Sequence, residues 1–240
     1  MAGYVDLHSH WLPGIDDGVR SEAEGIELLK RLRGVGFTQV IATPHMRPAM
    51  FDNDAARIRE AYARMGALVA STTGLPEVGL ASEHYLDDVV FQRLVAGEGV
   101  PYPGGHAVLV ELHAEVFPAR LSTTFFTLRR ARLRPVLAHP ERYVGVWDKP
   151  GILEPLIDGG ALMLLDVAAL VGKYGRRSQR TAEHLVEEGY YYAACSDAHR
   201  PDDAADVAAG IARLRKLAGD EEATYLLSEG PRNILAGTMD

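Results

Sequence analysis

The sequence predicts an α/β fold of seven strand-helix units around a parallel, barrel-like sheet, in one domain spanning residues 1–240. Two patterns carry this expectation. Short apolar runs alternate with longer amphipathic stretches from one end to the other, the order expected of strands and helices around a parallel sheet. Residues able to bind metals recur where these apolar runs stop, and in a parallel barrel all such strand ends open on one face. A length of 240 residues with 47% hydrophobic content supports one core of that size.

The runs read as strands lie near 4–8, 38–42, 77–82, 106–111, 135–138, 161–166 and 191–195. Between the first two, Ser21 stands three positions before Glu24, the spacing of a capping box. Ile26, Leu28, Leu29 and Leu32 supply one apolar side of the helix it would open, and Gly34 and Gly36 mark its end. Helices are likewise expected over 52–70, 119–132, 177–188 and 203–217, with Pro231 placed to open a short closing helix. Pro101, Pro103, Gly104 and Gly105 form the clearest loop. The chain contains no internal repeat and no evident domain boundary.

Composition excludes several classes of partner. Charged residues make up 24% of the chain and are spread along it, against a disordered tail. The net charge of −8 disfavours nucleic acid, because phosphate backbones need a basic face. The single cysteine, Cys195, excludes an internal disulfide and an all-thiolate zinc site, and fits a reducing compartment. No apolar run reaches about 20 residues and no leader pattern is present, so the expectation is a cytoplasmic protein that does not span a membrane.

The strand ends carry the chemistry. His8 and His10 follow the first run, His45 the second, Glu83 the third, Glu111 the fourth, His139 the fifth, and Asp197 and His199 the last. Side chains at i and i+2 of a strand point the same way, about 6 to 7 Å apart, so the His8 and His10 imidazoles can share a metal or bind adjacent ones. Asp16 lies in the loop Pro13-Gly14-Ile15-Asp16-Asp17-Gly18, whose glycines let the backbone turn back toward the same mouth. Imidazole and carboxylate donors without thiolate favour manganese, iron or zinc. Three divalent ions would move the formal charge to about −2 and make the site itself positive, suited to a phosphate dianion.

These same residues carry a family resemblance. The stretches Asp6 to Gly18 (DLHSHWLPGIDDG), Ala42 to His45 (ATPH), His139 to Tyr143 (HPERY) and Ser196 to His199 (SDAH) resemble the polymerase and histidinol phosphatase (PHP) superfamily. Within it the chain is most similar to the bacterial tyrosine phosphatases of capsule and exopolysaccharide operons, over essentially its whole length. The resemblance implies a distorted seven-stranded (β/α) barrel. It also implies a trinuclear metal site, usually manganese-supported, that removes phosphate from the tail of a tyrosine autokinase. Carried over by motif, the metal ligands are His8, His10, Asp16, His45, Glu83, Glu111, His139, Asp197 and His199. Arg142 of HPERY occupies a phosphate-gripping place, Arg47 is a second candidate, and Arg200 stands where relatives often carry an arginine several residues later. The segment 165–169 is apolar where relatives tend to be polar.

The expected mechanism is in-line attack on phosphorus by a hydroxide held between metals, with Arg142 balancing the equatorial oxygens. Asp197, Asp166 and His199 are the candidate proton donors, and a phenolate leaving group, with a pKa near 10, needs little help from them. A histidinol-phosphate or other small phosphomonoester hydrolase is the nearest alternative, and a non-catalytic metal-binding module the next. An amidohydrolase fits poorly, since Lys30, Lys149, Lys173 and Lys216 stand at none of the strand ends. His106, His113 and His184 read as structural or exposed, Asp17 as a turn former and Cys195 as core. Met46, Met50 and Phe51 read either as an apolar rim for an aromatic substrate or as a loop anchor.

Overall fold

The computed structural model describes residues 3–239. β1 (Tyr4–Ser9) leads into α1 (Glu22–Val35), which opens as its sequence requires. The Ser21 hydroxyl accepts the Glu24 N–H at 3.2 Å, and Glu24 returns a bond to the Arg20 N–H at 2.7 Å. Gly36, at φ 120°, ends the helix against the Tyr4 ring, a backbone angle that side chains rarely adopt. β2 (Phe37–Ala42), β3 (His45–Met46), α2 (Ala55–Ser71), β4 (Glu77–Leu80), β5 (Glu83–Tyr85) and α3 (Asp88–Val95) follow. Then come β6 (Ala107–Glu111), α4 (Leu121–Arg130), β7 (Arg134–Ala138), α5 (Val144–Trp147), α6 (Glu154–Asp158) and β8 (Leu162–Asp166). The last elements are α7 (Arg176–Glu187), β9 (Ala193–Cys195), α8 (Asp203–Thr224), a π-helical turn over Tyr225–Glu229, and α9 (Gly230–Ala236).

All strand pairs are parallel, in two sheets of order β1-β2-β4 and β3-β5-β6-β7-β8-β9. The seven predicted runs all contain strand, and two short strands, β3 and β5, follow the second and third runs without having been expected. Pro44, with no N–H to donate, stands between β2 and β3. Pairing nonetheless continues across the break: Ala81 donates to the Ala42 carbonyl at 2.8 Å and Glu83 to that of Pro44 at 3.2 Å. At the other end of the order, Asp197 donates to the His8 carbonyl at 3.0 Å and His10 to that of Ala198 at 2.9 Å, around a Ser9–Ala198 bridge. No single ladder joins all the strands among the described residues.

Alternate residues of the strands separate into two buried clusters. Val5, Leu7, Ile41, Leu109, Val136 and Leu164 pack together with Cys195 on one side. Val40, Val108, Val110, Leu137, Met163 and Leu165 pack against the helices on the other. Both faces are therefore buried, which is why the strands read as nearly continuous apolar runs. Cys195 is fully buried in the first cluster with its thiol directed at the Leu165 carbonyl, 3.2 Å away, as a core residue. Among the described residues no helix is long and apolar enough to cross a membrane.

Candidate metal centre

The parallel ladder sets the strand ends side by side, and register does much of the rest. His45 of β3 is paired directly with Glu83 of β5, so imidazole and carboxylate emerge together. Glu83 Oε2 lies 2.9 Å from His45 Nδ1, 3.2 Å from His8 Nε2 and 3.5 Å from His10 Nε2. Its other oxygen lies 3.1 Å from His139 Nε2. One carboxylate, 1% exposed, thus faces four imidazoles. Asp197 opposes it, with Oδ1 at 3.3 Å from His8 Nε2, 3.4 Å from His10 Nε2 and 3.7 Å from His199 Nδ1. His139 and Asp197 both have left-handed backbones, at φ 35° and 44°, and such strain concentrates at functional sites.

Four groups of donor atoms are close enough to hold an ion each: His8, His10 and Asp197; His8, Glu83 and His139; His45, Glu83 and Glu111; and His10, Asp17, His45 and His199. The groups share His8, His10, His45 and Glu83, as neighbouring ions would require. Without ions the arrangement leaves polar atoms unserved. Glu111 Oε2 and Asp197 Oδ1 are buried and accept no hydrogen bond, and His8 Nε2 and His10 Nε2 stand only 3.1 Å apart. Buried acceptors of this kind cost free energy unless they find a proton or a cation. The donor set, imidazole and carboxylate with no sulfur, fits manganese, iron or zinc.

The electrostatics of the residues alone show the same crowding. Burial opposes charge on His8, but Glu83 and Asp197 raise its imidazole to about 9. Burial and Arg142 together depress His139 to about 4. Burial and the neighbouring Glu83 push Glu111 up to about 7. Burial also lifts Asp166 to about 7, reinforced by the charge of Asp197.

Eight of the nine expected ligands come together in these groups, and Asp17 lies among them while Asp16 lies outside. Asp17 Oδ1 stands 3.5 Å from both His45 Nε2 and His199 Nε2. Asp16 turns the other way: Oδ2 accepts His10 Nδ1 at 2.9 Å and the His45 N–H at 3.1 Å, and Oδ1 accepts the Gly18 N–H at 2.9 Å. It thereby fixes the His10 ring with Nε2 toward the cluster, the usual task of a carboxylate behind a metal-ligating histidine. The turn closes tightly at Gly18, where a Cβ would lie 2.2 Å from the His10 carbonyl.

A cavity of about 150 Å³ opens over the cluster, lined in part by Arg47, Arg142, Glu111 and His199. Arg142 Nη1 lies 2.5 Å from Asp197 Oδ2 and 4.0 Å from Asp166 Oδ2, and its guanidinium stacks 4.4 Å from the centre of the Tyr174 ring. Arg47 stacks likewise on Tyr85, at 4.0 Å. Arg200, the third expected phosphate contact, is outside the lining: its backbone N–H bonds Asp203 at 2.8 Å and its guanidinium turns to the His199 carbonyl at 3.4 Å. Phe51 stacks on His45 with ring centres 5.2 Å apart, Met46 is buried beneath, and Met50 is 60% exposed at the rim.

Two supporting residues escaped the motif reading. Asp6 is fully buried and accepts Ser196 N–H at 2.9 Å and Ser196 O–H at 2.5 Å, tying β1 to the segment that carries Asp197; burial holds its carboxyl up at about 6. Glu141, inside HPERY, accepts the Asp166 N–H at 3.0 Å and Tyr191 O–H at 2.8 Å. His84 faces away from the cluster, bonded to the Leu109 carbonyl at 2.8 Å and the Val100 N–H at 3.1 Å.

Parallel strands with imidazoles and carboxylates massed at their carboxyl ends define an α/β protein whose mouth can hold several divalent ions. Comparison with known proteins makes this specific: the chain belongs to the CpsB/CapC family of capsular polysaccharide synthesis, whose model matches residues 4–236. It is 27% identical over 199 residues to the putative tyrosine-protein phosphatase CapC of Staphylococcus aureus, covering 81% of this chain and 76% of that protein. It is 28% identical over 195 residues to the tyrosine-protein phosphatase YwqE of Bacillus subtilis, covering 81% and 77%. A solved structure from work on Bacillus subtilis YwqE and Streptococcus pneumoniae CpsB, described as metal-dependent tyrosine phosphatases, superposes with a TM-score of 0.87. The superposition has 27% identity and covers 96% of this chain and 94% of the other.

Proposed function

We propose that this chain is a metal-dependent protein tyrosine phosphatase. Its substrate would be the phosphotyrosine-bearing tail of a tyrosine autokinase that controls capsule or exopolysaccharide synthesis in the cytoplasm. The observation that carries this reading is Glu83, buried against four imidazoles and opposed by Asp197, in a family whose named relatives are tyrosine phosphatases. The four donor groups, which share ligands, would hold the three divalent ions that the family resemblance implies, manganese before iron or zinc. His8, His10, Asp17, His45, Glu83, Glu111, His139, Asp197 and His199 would hold them, with Asp16 behind His10. Residues 1–240 are taken as one domain. The bonds across Pro44 and between the His8 to His10 and Asp197 to Ala198 segments support a distorted seven-stranded barrel, interrupted where these short links replace regular ladder.

When bound, divalent ions supply a water ionised at neutral pH and positive charge beside the phosphoryl oxygens. The chain's own residues orient the ester. Arg142, held between two carboxylates and the Tyr174 ring, presents its remaining N–H groups to the cavity, where a fork of donors matches phosphate oxygens. Arg47, stacked on Tyr85, offers a second fork across the mouth. A tyrosine phenolate, with a pKa near 10, leaves with little proton assistance. Asp197, Asp166 or His199 would give it a proton; of these Asp197 and His199 line the cavity, whereas Asp166 is fully buried. Phe51 and Met50 give the aromatic ring an apolar border.

The test compares a phosphotyrosine peptide with histidinol phosphate, using protein stripped of metal and reloaded with manganese. Preferred hydrolysis of the peptide, lost on stripping and restored by manganese, is expected. Equal or faster hydrolysis of histidinol phosphate would move the assignment to small phosphomonoesters. No turnover of either ester by well-folded, metal-loaded protein would sink it.

A further inference from the structure

Outside the mouth, a cationic cleft lies between α5 and the first turns of α7. It encloses about 340 Å³ and is lined by Trp147, Asp148, Arg177, Arg180, Thr181 and His184. Arg177, Arg180 and His184 recur at helical spacing and so share one stripe of α7 facing the indole. The Arg177 guanidinium lies 5.8 Å from the Trp147 ring, within cation-π range.

The chain carries a net charge of −8, so a concentration of cations along one helix stripe stands against the overall balance. Among the described residues Arg176 and Arg180 form no ion pair, and Arg177 has only Asp148 at 3.9 Å, itself 85% exposed. Three guanidiniums within five residues repel one another and gain little from solvent-exposed Asp148. An anion seated in the cleft would relieve that repulsion.

The cleft is also tied to the mouth. Trp147 Nε1 donates to the Glu141 carbonyl at 2.9 Å, one residue before Arg142. α7 begins at Arg176, two residues beyond the Tyr174 ring on which Arg142 stacks. The chain from Arg142 to Trp147 is five residues long and spans at most about 18 Å, the reach of about five extended residues of a bound peptide.

We infer that the Trp147–α7 cleft docks an acidic segment of the substrate chain, within about five residues of the phosphotyrosine, and so selects acidic phosphopeptides. Carboxylate side chains pair with Arg177 and Arg180 while the peptide's apolar atoms lie on the indole. The inference rests on the phosphatase reading for its substrate, and on the cleft alone for its chemistry.

The test uses the whole metal-loaded protein and three substrates: p-nitrophenyl phosphate, a phosphotyrosine peptide with Asp and Glu flanking the phosphotyrosine, and the same peptide with Gln and Ala instead. The unaltered protein should show a KM for the acidic peptide about tenfold below that of the neutral one, a gap that narrows as salt screens exposed charges. R177E/R180E should abolish the gap while leaving p-nitrophenyl phosphate turnover and the melting temperature unchanged, and R177K/R180K should keep part of it. A preference for acidic flanks that survives charge reversal, or no preference in the unaltered protein, overturns the inference. Fluorescence anisotropy of the labelled acidic peptide without phosphate separates the two readings. Binding lost in R177E/R180E supports the cleft even if no ester is hydrolysed, and binding equal in both proteins counts against it.

Discussion

Asp16 and Asp17 are adjacent, equally acidic and in the same loop, yet their side chains turn opposite ways, and asparagine substitutions test the separate tasks proposed for them. Asp16 has a side chain only 1% exposed and accepts three hydrogen bonds. Asp16→Asn keeps one amide oxygen for Gly18 but turns an NH2 toward the His10 ring and the His45 N–H, so two charge-assisted bonds are lost. At about 1.5 kcal/mol each, the metal-free protein should lose on the order of 3 kcal/mol. For a chain of 240 residues that is a fall in Tm of about 6 to 12 °C. Metal affinity should also drop about 10- to 100-fold, the usual result of removing a carboxylate from behind a metal-ligating histidine. The Asp17 side chain, 55% exposed, does little for packing. Asp17→Asn should change metal-free stability by no more than about 1 kcal/mol, yet lower the number of ions retained. Denaturant melts of stripped protein, together with metal content after dialysis, decide between the two. The reasoning is refuted if Asp16→Asn is as stable as the unaltered chain, or if Asp17→Asn retains the full complement of ions.

Further outcomes follow from other positions. In Gly210→Ala the new Cβ would lie 2.1 Å from the Val167 carbonyl, forcing α8 off the segment after β8; a loss of about 1 to 3 kcal/mol is expected in urea melts. Burial depresses the His84 imidazole to about 4, against an ordinary value of 6.5, so its contribution to stability is complete above 6.5 and is lost as pH falls toward 4. That contribution is about 3 kcal/mol, and the difference in stability between pH 7 and pH 4 should shrink by that amount in His84→Gln. Arg142→Lys keeps the charge but loses the fork and the stack on Tyr174, and should lower kcat/KM for a phosphotyrosine peptide by about 100-fold with the melting temperature little changed. An unchanged rate would remove Arg142 from the phosphate-binding role.

Much of this was legible in the residues because period and punctuation agree. The Ser21–Glu24 cap, the alternating apolar runs and the ligands at their ends all describe parallel strands opening on one mouth, and eight expected donors meet there. The failures have physical causes. α3, α5 and α6 are too short for a helical period to emerge. β3 and β5, two and three residues long, are too short for a hydrophobic pattern to register. Which aspartate of a DD pair turns inward depends on two backbone N–H groups, of Gly18 and His45, and on one ring nitrogen of His10, a property of the folded loop. Arg200 was named by its resemblance to an arginine of relatives, and its side chain bends back along its own backbone toward the His199 carbonyl.

The link between Ser9 and Ala198, 189 positions apart, sets an order of events during synthesis. Nearly all the residues between these two positions must have left the ribosome before Asp197 and His199 can meet His8 and His10. Products that stop short of them lack two of the nine donors, and such chains should emerge with fewer ions and without hydrolytic power.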